Sequence, residues 1–174
     1  MITDKELIKG CIRNKRKYQK ALYDKYAPNL LSICYRYFPD INKSNDALQE
    51  AFIKIFRKMD TFNHSGSFEG WLKRITTNTA INLLRSEKKY QEQKNLDSVT
   101  DFEEQSYDDS SYILAEVANL SESYRSVFNL FSIEGYSAKE TSEILKISEA
   151  NVRVLNHRAK KILQEKLEKY YLES

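Results

Sequence analysis

The sequence predicts an all-α protein built from two small helical domains. Its 174 residues include only four glycines and two prolines, whereas β-sandwiches and barrels need many tight turns rich in those residues. Apolar side chains recur at helical spacing over long stretches, and Ser or Thr followed three residues later by Glu marks two helix starts. Hydrophobic residues make up 41% of the chain, which is enough to form a core.

The net charge of +3 hides a strong segregation of charge along the chain. Residues 1–90 carry a net charge of +9, residues 91–112 carry −6, and residues 146–174 carry +3. The acidic stretch has few aliphatic residues and little periodicity, which is typical of a linker. We therefore expect a first domain at 1–90, an acidic flexible linker at 91–112 and a second domain at 113–174. The two basic blocks have two interpretations that charge alone does not separate. They bind a polyanion such as nucleic acid, or they are solvated helix faces without a ligand.

The first domain is predicted to begin with two helices. Thr3 and Glu6 have the spacing of a capping box, so a helix starts there. Pro28 fits the first turn of the next helix, and Pro39 ends it. This second helix is apolar almost all round, which indicates a central position. Its apolar residues are Leu30, Leu31, Ile33, Cys34, Tyr37 and Phe38.

Two further helices are predicted in the first domain, separated by a polar loop. Ser44 is a suitable N-cap for a helix from Asp46 to Met59, which has one apolar stripe and one polar face. After the loop at 62–67, Ser67 caps a helix from Phe68 to about Tyr90.

The polar face of this fourth helix is rich in amides and cations, which are the groups that read base edges and hold phosphates. It includes Lys73, Arg74, Thr77, Asn78, Asn82 and Arg85. Phe68 and Trp71 at the helix start offer rings for unstacked bases, or they are core residues, as isolated aromatic residues usually are.

The second domain is predicted to contain a helix-turn-helix. Ser137 and Glu140 form a second capping box that starts a short helix, and a tight turn follows at Lys146, where Gly is common. Ser148 then caps a long basic helix over 149–170. The inward positions are Leu145, Ile147, Val152, Leu155, Ala159 and Ile162. The outward positions are Asn151, Arg153, Val154, His157, Arg158, Lys160 and Lys161. An amphipathic helix that binds another protein is the alternative interpretation.

No motif in the sequence predicts an enzyme. There is no phosphate-binding glycine loop, HExxH motif or nucleophile motif. Cys11 and Cys34 form no CxxC pair, and His64 and His157 are isolated, so we expect no metal and no cofactor. The N-terminus lacks an apolar signal segment, and no apolar run is long enough to cross a membrane, so we expect a cytoplasmic protein without membrane insertion.

Taken in order, three strings of residues resemble a known family. They are DALQEAF at 46–52, GSFEGWLKRI at 66–75 and ETSEILKISEANVRVLNHRAKKIL at 140–163. In this order and spacing they resemble bacterial RNA polymerase sigma factors of the extracytoplasmic-function (ECF) type, members of the sigma-70 family that keep only regions two and four. Two other interpretations remain open: a dimeric helix-turn-helix regulator that acts without the polymerase, and a helical adaptor that binds only protein.

The resemblance implies a role for each polar set of residues. The set facing the β′ clamp helices of core RNA polymerase would be Asp46, Gln49 and Glu50. The set facing the −10 element of promoter DNA, with a flipped base in the loop, would be Asn63, His64, Ser65, Phe68, Trp71, Asn78, Asn82 and Arg85. The set facing the −35 element would be Asn151, Arg153, Val154, His157, Arg158 and Lys161. The resemblance also implies contact with the β flap of the polymerase and regulation by an anti-sigma factor. Leu155 and Asn156 depart from the family, in which an Arg and an apolar residue are frequent.

Overall fold

The computed structural model describes residues 2–94 and 109–173, with side chains from 2 to 87 and from 112 to 172. In these residues the regular structure is helical, as the sequence predicts. The chain divides into two compact units, residues 1–86 and 87–174. The helices of the first unit are α1 (Asp4–Ile12), α2 (Arg16–Tyr37), α3 (Ile41–Arg57) and α4 (Phe68–Lys94), which continues past the unit's end. Those of the second unit are α5 (Asp109–Ala118), α6 (Glu122–Phe128), α7 (Ala138–Leu145) and α8 (Glu149–Glu173).

Three features define helix α1 and its corner with α2: a cap at its start, a turn after its end and a glycine where the two helices meet. The predicted capping box is present, with the Thr3 side chain and the Glu6 side chain each bonded to the other's backbone N–H. After α1, Asn14 adopts a left-handed conformation with φ of 52° and turns the chain. A Cβ at Gly10 would lie 2.1 Å from Cγ of Tyr18, so this close approach of α1 to α2 requires glycine.

Pro28 lies in the interior of α2, so the prediction that it occupies a first turn is wrong. A proline has no N–H to donate to the carbonyl of Asp24 one turn earlier, but both residues are exposed, so solvent can reach this part of the helix. Leu22 and Leu30, on either side of the proline, are completely buried. Tertiary packing therefore holds the helix through a residue that costs about 3 kcal/mol in a helix interior.

Helix α3 begins five residues before the predicted Asp46, and Ser44 is not its N-cap. Asp40 caps the helix instead, because its carboxylate accepts from the backbone N–H groups of Asn42 at 2.8 Å and Lys43 at 2.9 Å. Ser44 lies inside the first turns, fully buried, and its hydroxyl donates to the Asp40 carbonyl at 2.7 Å. A serine that bonds back to the preceding turn is compatible with a helix interior, which the residue type alone does not reveal.

The core of the first unit confirms the predicted apolar stripe of α3. Leu48, Ala51, Phe52 and Ile55 of the predicted stripe are buried, and so is Met59, two residues past the end of α3. Phe56, the sixth predicted member, is half-buried. Helix α4 adds Leu72, Ala80, Ile81 and Leu84 to the buried set. Thr77, which was predicted on the polar face of α4, is also fully buried, because the packed side of that helix is wider than the predicted stripe.

The second unit contains a helix that the sequence analysis did not predict. Helix α5 begins at Asp109, inside the predicted linker 91–112, and α4 ends at Lys94, so both ends of that stretch are helical. The middle of the predicted linker, residues 95–108, lies outside the described residues. The Tyr112 ring stacks on the Tyr170 ring of α8 at 4.0 Å, and Glu116 forms an ion pair with Lys166.

The rest of the second unit packs the helix-turn-helix against α6. Val127, Ala138 and Val152 are buried together, with Leu145, Ile147 and Leu155 packed against them, as predicted. Between α6 and α7 the chain forms a single π-helical turn at Asn129–Ile133. From this turn the Ser132 hydroxyl donates to the Asn156 side-chain oxygen of α8 at 2.7 Å.

Candidate nucleic-acid interface

The outer face of α3 carries a short polar patch. Asp46 and Gln49 are exposed and lie three residues apart, on the side away from the apolar stripe. Glu50 is half-buried, and its carboxylate forms an ion pair with Lys54 at 3.3 Å. The structure therefore brings the three predicted residues onto one accessible face, where a protein partner can reach them.

The loop before α4 is built by left-handed backbone and a short side-chain turn. The Asn63 side-chain oxygen accepts from the Ser65 N–H at 3.1 Å and from its hydroxyl at 2.7 Å. His64 has φ of 59° and Gly66 has φ of 95°. Ser67 caps α4, as predicted, because its hydroxyl accepts from the Gly70 N–H at 3.3 Å. The side chains of Asn63, His64 and Ser65 are all exposed.

A cluster of aromatic rings supports this loop. The rings of Phe68 and Trp71 are stacked at 5.9 Å, and Phe62 lies 5.2 Å from Phe68 and 5.5 Å from Trp71. The His64 ring stands edge-on to Phe62 at 4.9 Å. Phe68 is only 7% exposed and is thus a core residue, while Trp71 is half-buried and keeps part of its ring accessible.

A cavity lies beside the loop, and the sequence analysis did not identify its second wall. Its volume is about 430 Å³. Phe62, His64, Gly66 and Phe68 line it from the loop side, and Asp4, Lys5 and Ile8 line it from α1. No signal in the sequence relates α1 to a loop some sixty residues later, because only the tertiary fold brings them together.

The predicted polar face of α4 is a single stripe along the helix. Asn82 is exposed, and Asn78 and Arg85 are half-buried. The guanidinium Nη2 of Arg85 is enclosed and has no hydrogen-bond partner among the residues whose side chains are described. Because a buried donor without a partner costs free energy, a rotamer change that brings this atom to a phosphate or a base edge would remove that cost.

Local caps define both helices of the helix-turn-helix and the turn between them. The Ser137 hydroxyl accepts from the Glu140 N–H at 3.1 Å, which completes the predicted capping box of α7. Lys146 adopts the left-handed conformation, with φ of 56°, at the end of α7. The Ser148 hydroxyl then accepts from the Asn151 N–H at 3.2 Å and starts α8.

The outer face of α8 presents all six residues that were predicted to face DNA. Each of them is exposed: Asn151, Arg153, Val154, His157, Arg158 and Lys161. Arg153 pairs with Glu149 at 3.4 Å and Lys161 pairs with Glu165 at 3.8 Å. Exposed pairs of this kind contribute at most about 1 kcal/mol, so both cations can exchange their partners for phosphate. Asn156, in contrast, is 5% exposed and points into the unit, bonded to Ser132.

Both cysteines are buried and free of disulfides. Burial raises the pKa of the Cys11 thiol to about 11 and that of the Cys34 thiol to about 12. Within the described ranges there is no group of three or more histidine, cysteine, aspartate or glutamate residues that could hold a metal ion. Among the same residues, no helix is long and apolar enough to cross a membrane.

The fold and the exposed faces define a class of protein: a two-unit helical protein whose second unit is a helix-turn-helix of the DNA-reading type. Two family models match the chain, sigma-70 region 2 at residues 22–90 and sigma-70 region 4 at residues 110–163. The chain therefore belongs to the sigma-70 family, and its relatives place it among the ECF type, whose members direct promoter-specific initiation of transcription.

The curated relatives match almost the whole chain. The ECF RNA polymerase sigma factor SigX of Bacillus subtilis is 29% identical over 84% of this chain and 82% of its own length. The ECF RNA polymerase sigma-E factor of Escherichia coli K12 is 26% identical over 96% of this chain and 95% of its own length.

Solved structures show a similar fold. The sigma factor RpoE of Bartonella quintana, in complex with the anti-sigma factor NepR, matches with a TM-score of 0.59 at 21% identity, over 86% of this chain and 96% of that one. CnrH, in complex with the cytosolic domain of CnrY, matches with a TM-score of 0.54 at 19% identity, over 95% and 97% of the two chains.

Proposed function

We propose that this sigma factor divides promoter recognition between its two units. In the second unit, α8 enters the major groove of the −35 element, where the N-terminal residues Asn151, Arg153 and Val154 meet base edges. The exposed methyl groups of Val154, which is 46% exposed, suit contact with a thymine methyl. Arg158 and Lys161, further along the helix, neutralise phosphates and release counterions. The observation that carries this assignment is that all six predicted residues of α8 are exposed. They lie on one side of a helix that Ser148 caps and whose other side is buried.

The first unit reads the −10 element after the strands separate. His64 lines a cavity large enough for a base, and its chain neighbours Asn63 and Ser65 are exposed. The stacked rings of Phe68 and Trp71 support the loop. Base extrusion costs a few kcal/mol, which stacking and pocket contacts have to offset. Asn78, Asn82 and Arg85 continue this surface along α4 toward the strand.

The polar patch of α3 docks the chain on core RNA polymerase. Asp46, Gln49 and Glu50 would contact the β′ clamp helices, and the second unit would contact the β flap. The acidic segment 91–112 would pass through a basic channel of the polymerase, where its charge imitates RNA. The complex forms in the cytoplasm, where this chain acts as a binding subunit.

An anti-sigma factor is the regulatory partner that we propose. Support comes from two solved structures of similar fold: the sigma factor RpoE was captured with the anti-sigma factor NepR, and CnrH was captured with the cytosolic domain of CnrY. Such a partner would cover the polymerase-binding or DNA-binding faces described above.

The test compares two substitutions in two assays. Trp71→Ala is expected to impair strand opening more than polymerase binding, since it removes the accessible ring beside the loop. Glu50→Lys is expected to impair polymerase binding more, since it reverses charge on the α3 patch. Strand opening is followed by permanganate reactivity of promoter thymines, and polymerase binding by co-elution of the purified chain with core polymerase.

Matched controls separate function from stability. Trp71→Phe keeps the ring packing and Glu50→Gln keeps the side-chain shape, so each should lie between wild type and the severe variant. Equal losses in both assays for Trp71→Ala and Glu50→Lys would contradict this division of labour. A chain that binds a palindromic duplex by itself and leaves start-site choice unchanged would instead be a regulator that acts without the polymerase.

A further inference from the structure

The cavity beside the loop has one wall outside the part of the chain that matches the family model. Helix α1 supplies Asp4, Lys5 and Ile8 to its lining, whereas the region 2 match begins at residue 22. The volume of about 430 Å³ lies within the range of small-molecule sites, about 300–1,000 Å³. A ligand that enters from the loop side therefore meets residues of α1.

The apolar part of the cavity suits a flat aromatic ligand. Phe62 and Phe68 line it with rings 5.2 Å apart, and Ile8 adds an aliphatic side chain from α1. Aromatic walls of this kind stack on any nucleobase, because every base has a π-face, so they bind a base without selecting among the four. Selection has to come from the polar groups of the lining.

Asp4 is the acidic group of this lining, and its position is fixed. Its Oδ1 accepts from the Lys25 ammonium at 2.6 Å and from the Tyr26 hydroxyl at 2.7 Å, so both of these hydrogen bonds fall on one oxygen. The Tyr26 ring also stands edge-on to Phe68 at 5.8 Å, so the same residue positions the carboxylate and the aromatic wall.

The Asp4 carboxylate is ionised at neutral pH. Partial burial raises its pKa, but the hydrogen bonds from Lys25 and Tyr26 and the charge of Lys25 outweigh this effect and leave the pKa below its usual value. An ionised carboxylate accepts hydrogen bonds and donates none. Asp4 thus favours a ligand edge that carries N–H donors and disfavours an edge that carries carbonyl oxygens.

We propose that Asp4 makes this cavity selective for an extruded base that carries an exocyclic amino group, and against thymine. Adenine, cytosine and guanine each present an amino group, whereas thymine presents two carbonyl oxygens that flank its single ring N–H. The proposal rests on the proposed function of the loop in accepting a base from the −10 element. Lys5, exposed at the same cavity, supplies a cation for the phosphate of that nucleotide.

The test uses the full chain with core RNA polymerase, on promoters whose non-template −10 segment carries each base at each position. For the wild type we expect one position at which thymine lowers open-complex formation roughly tenfold or more relative to adenine or cytosine. Asp4→Asn carries an amide that both donates and accepts, so it should reduce this ratio to about twofold at that position. The other positions should keep their preferences.

A base analogue tests the same contact from the DNA side. At the selective position, purine replaces adenine or 2-pyrimidinone replaces cytosine, which removes the amino group and little else. This deletion should remove most of the wild-type preference for the amino-bearing base, and it should cost the Asp4→Asn chain clearly less, because a neutral amide oxygen accepts from the amino group more weakly than a carboxylate does.

Glu6→Ala is the matched control for the stability of α1. It removes the capping-box partner of Thr3, whose N–H donates to Glu6 at 2.8 Å, without touching the lining of the cavity. The control should still form fewer open complexes with thymine than with adenine or cytosine at the selective position; this difference is the thymine penalty. A Glu6→Ala chain that loses the penalty as Asp4→Asn does would overturn the proposal, and so would a wild type that initiates specifically but tolerates thymine at every position. Failure of the wild type to initiate at any promoter would overturn the proposed function as well.

Discussion

Replacing Lys146 with glycine should stabilise the second unit, because the turn of the helix-turn-helix holds a lysine in a conformation that suits glycine. Lys146 has φ of 56° and ψ of 43°, and its side chain is exposed. In this left-handed region the Cβ of any L-residue crowds the following carbonyl, whereas glycine has no Cβ. The substitution removes this crowding and leaves the buried core of the unit untouched.

The expected gain is the difference between two effects. Relief of the left-handed conformation contributes about 1–2 kcal/mol. The greater freedom of glycine in the unfolded chain costs about 0.4–1 kcal/mol. The difference between these ranges is about 0–1.6 kcal/mol, so we expect Lys146→Gly to raise the free energy of unfolding by about 0.8 kcal/mol, the midpoint. This corresponds to a rise in Tm of a few degrees for a unit of this size.

Urea unfolding of the full chain, followed by far-UV circular dichroism, measures this gain. Lys146→Ala is the matched control, since it removes the same charge but keeps a Cβ, and it should be less stable than the glycine variant by about 1 kcal/mol. The chain has one tryptophan, Trp71, which lies in the first unit, so its fluorescence reports that unit. A glycine variant no more stable than the alanine variant would refute the argument that the turn is strained.

Three other substitutions or reagents test separate features. Ser137→Ala removes the acceptor of the Glu140 N–H, so the free energy of unfolding should fall by about 1 kcal/mol; an unchanged urea midpoint would contradict the capping role. Cys11 and Cys34 are buried with pKa values raised to about 11 and 12, so at pH 8 they should react with iodoacetamide only as the first unit unfolds, and rapid labelling of the native chain would count against this. Arg158→Ala should lower the slope of log K against log salt for holoenzyme binding to −35 duplex by about one, and an unaltered slope would remove Arg158 from the phosphate contacts.

The helix starts that the sequence predicted correctly are those set by local chemistry. The capping boxes at Thr3 and Ser137 are present, and Ser67 and Ser148 cap α4 and α8. These features depend on side chains that reach backbone groups two or three residues away, so short windows of sequence contain all the partners. The apolar stripe of α3 was predictable for a similar reason, since helical spacing alone puts its members on one side.

The errors in the predicted fold arise where distant packing overrides local preference. Pro28 disfavours a helix interior, yet α2 continues through it. The burial of leucines on both sides stabilises the helix by more than the proline destabilises it. Ser44 has the residue type of a cap but is buried inside α3. Helix α5 was not predicted because it begins inside the acidic stretch 91–112. The contacts that hold it are with α8, some fifty residues later.

The sequence by itself determined which polar residues share a helix face, and the family that they indicate. Spacing along one helix places Arg153, His157 and Arg158 on the same side, and the structure exposes all three. Only the tertiary structure decided that Asn156, which lies between these residues in the sequence, points inward and bonds to Ser132. The tertiary structure also places Asp4 in the lining of the same cavity as His64 and Phe68. Periodicity relates residues within one element, whereas a contact between elements depends on how complete surfaces pack, and no local pattern contains that information.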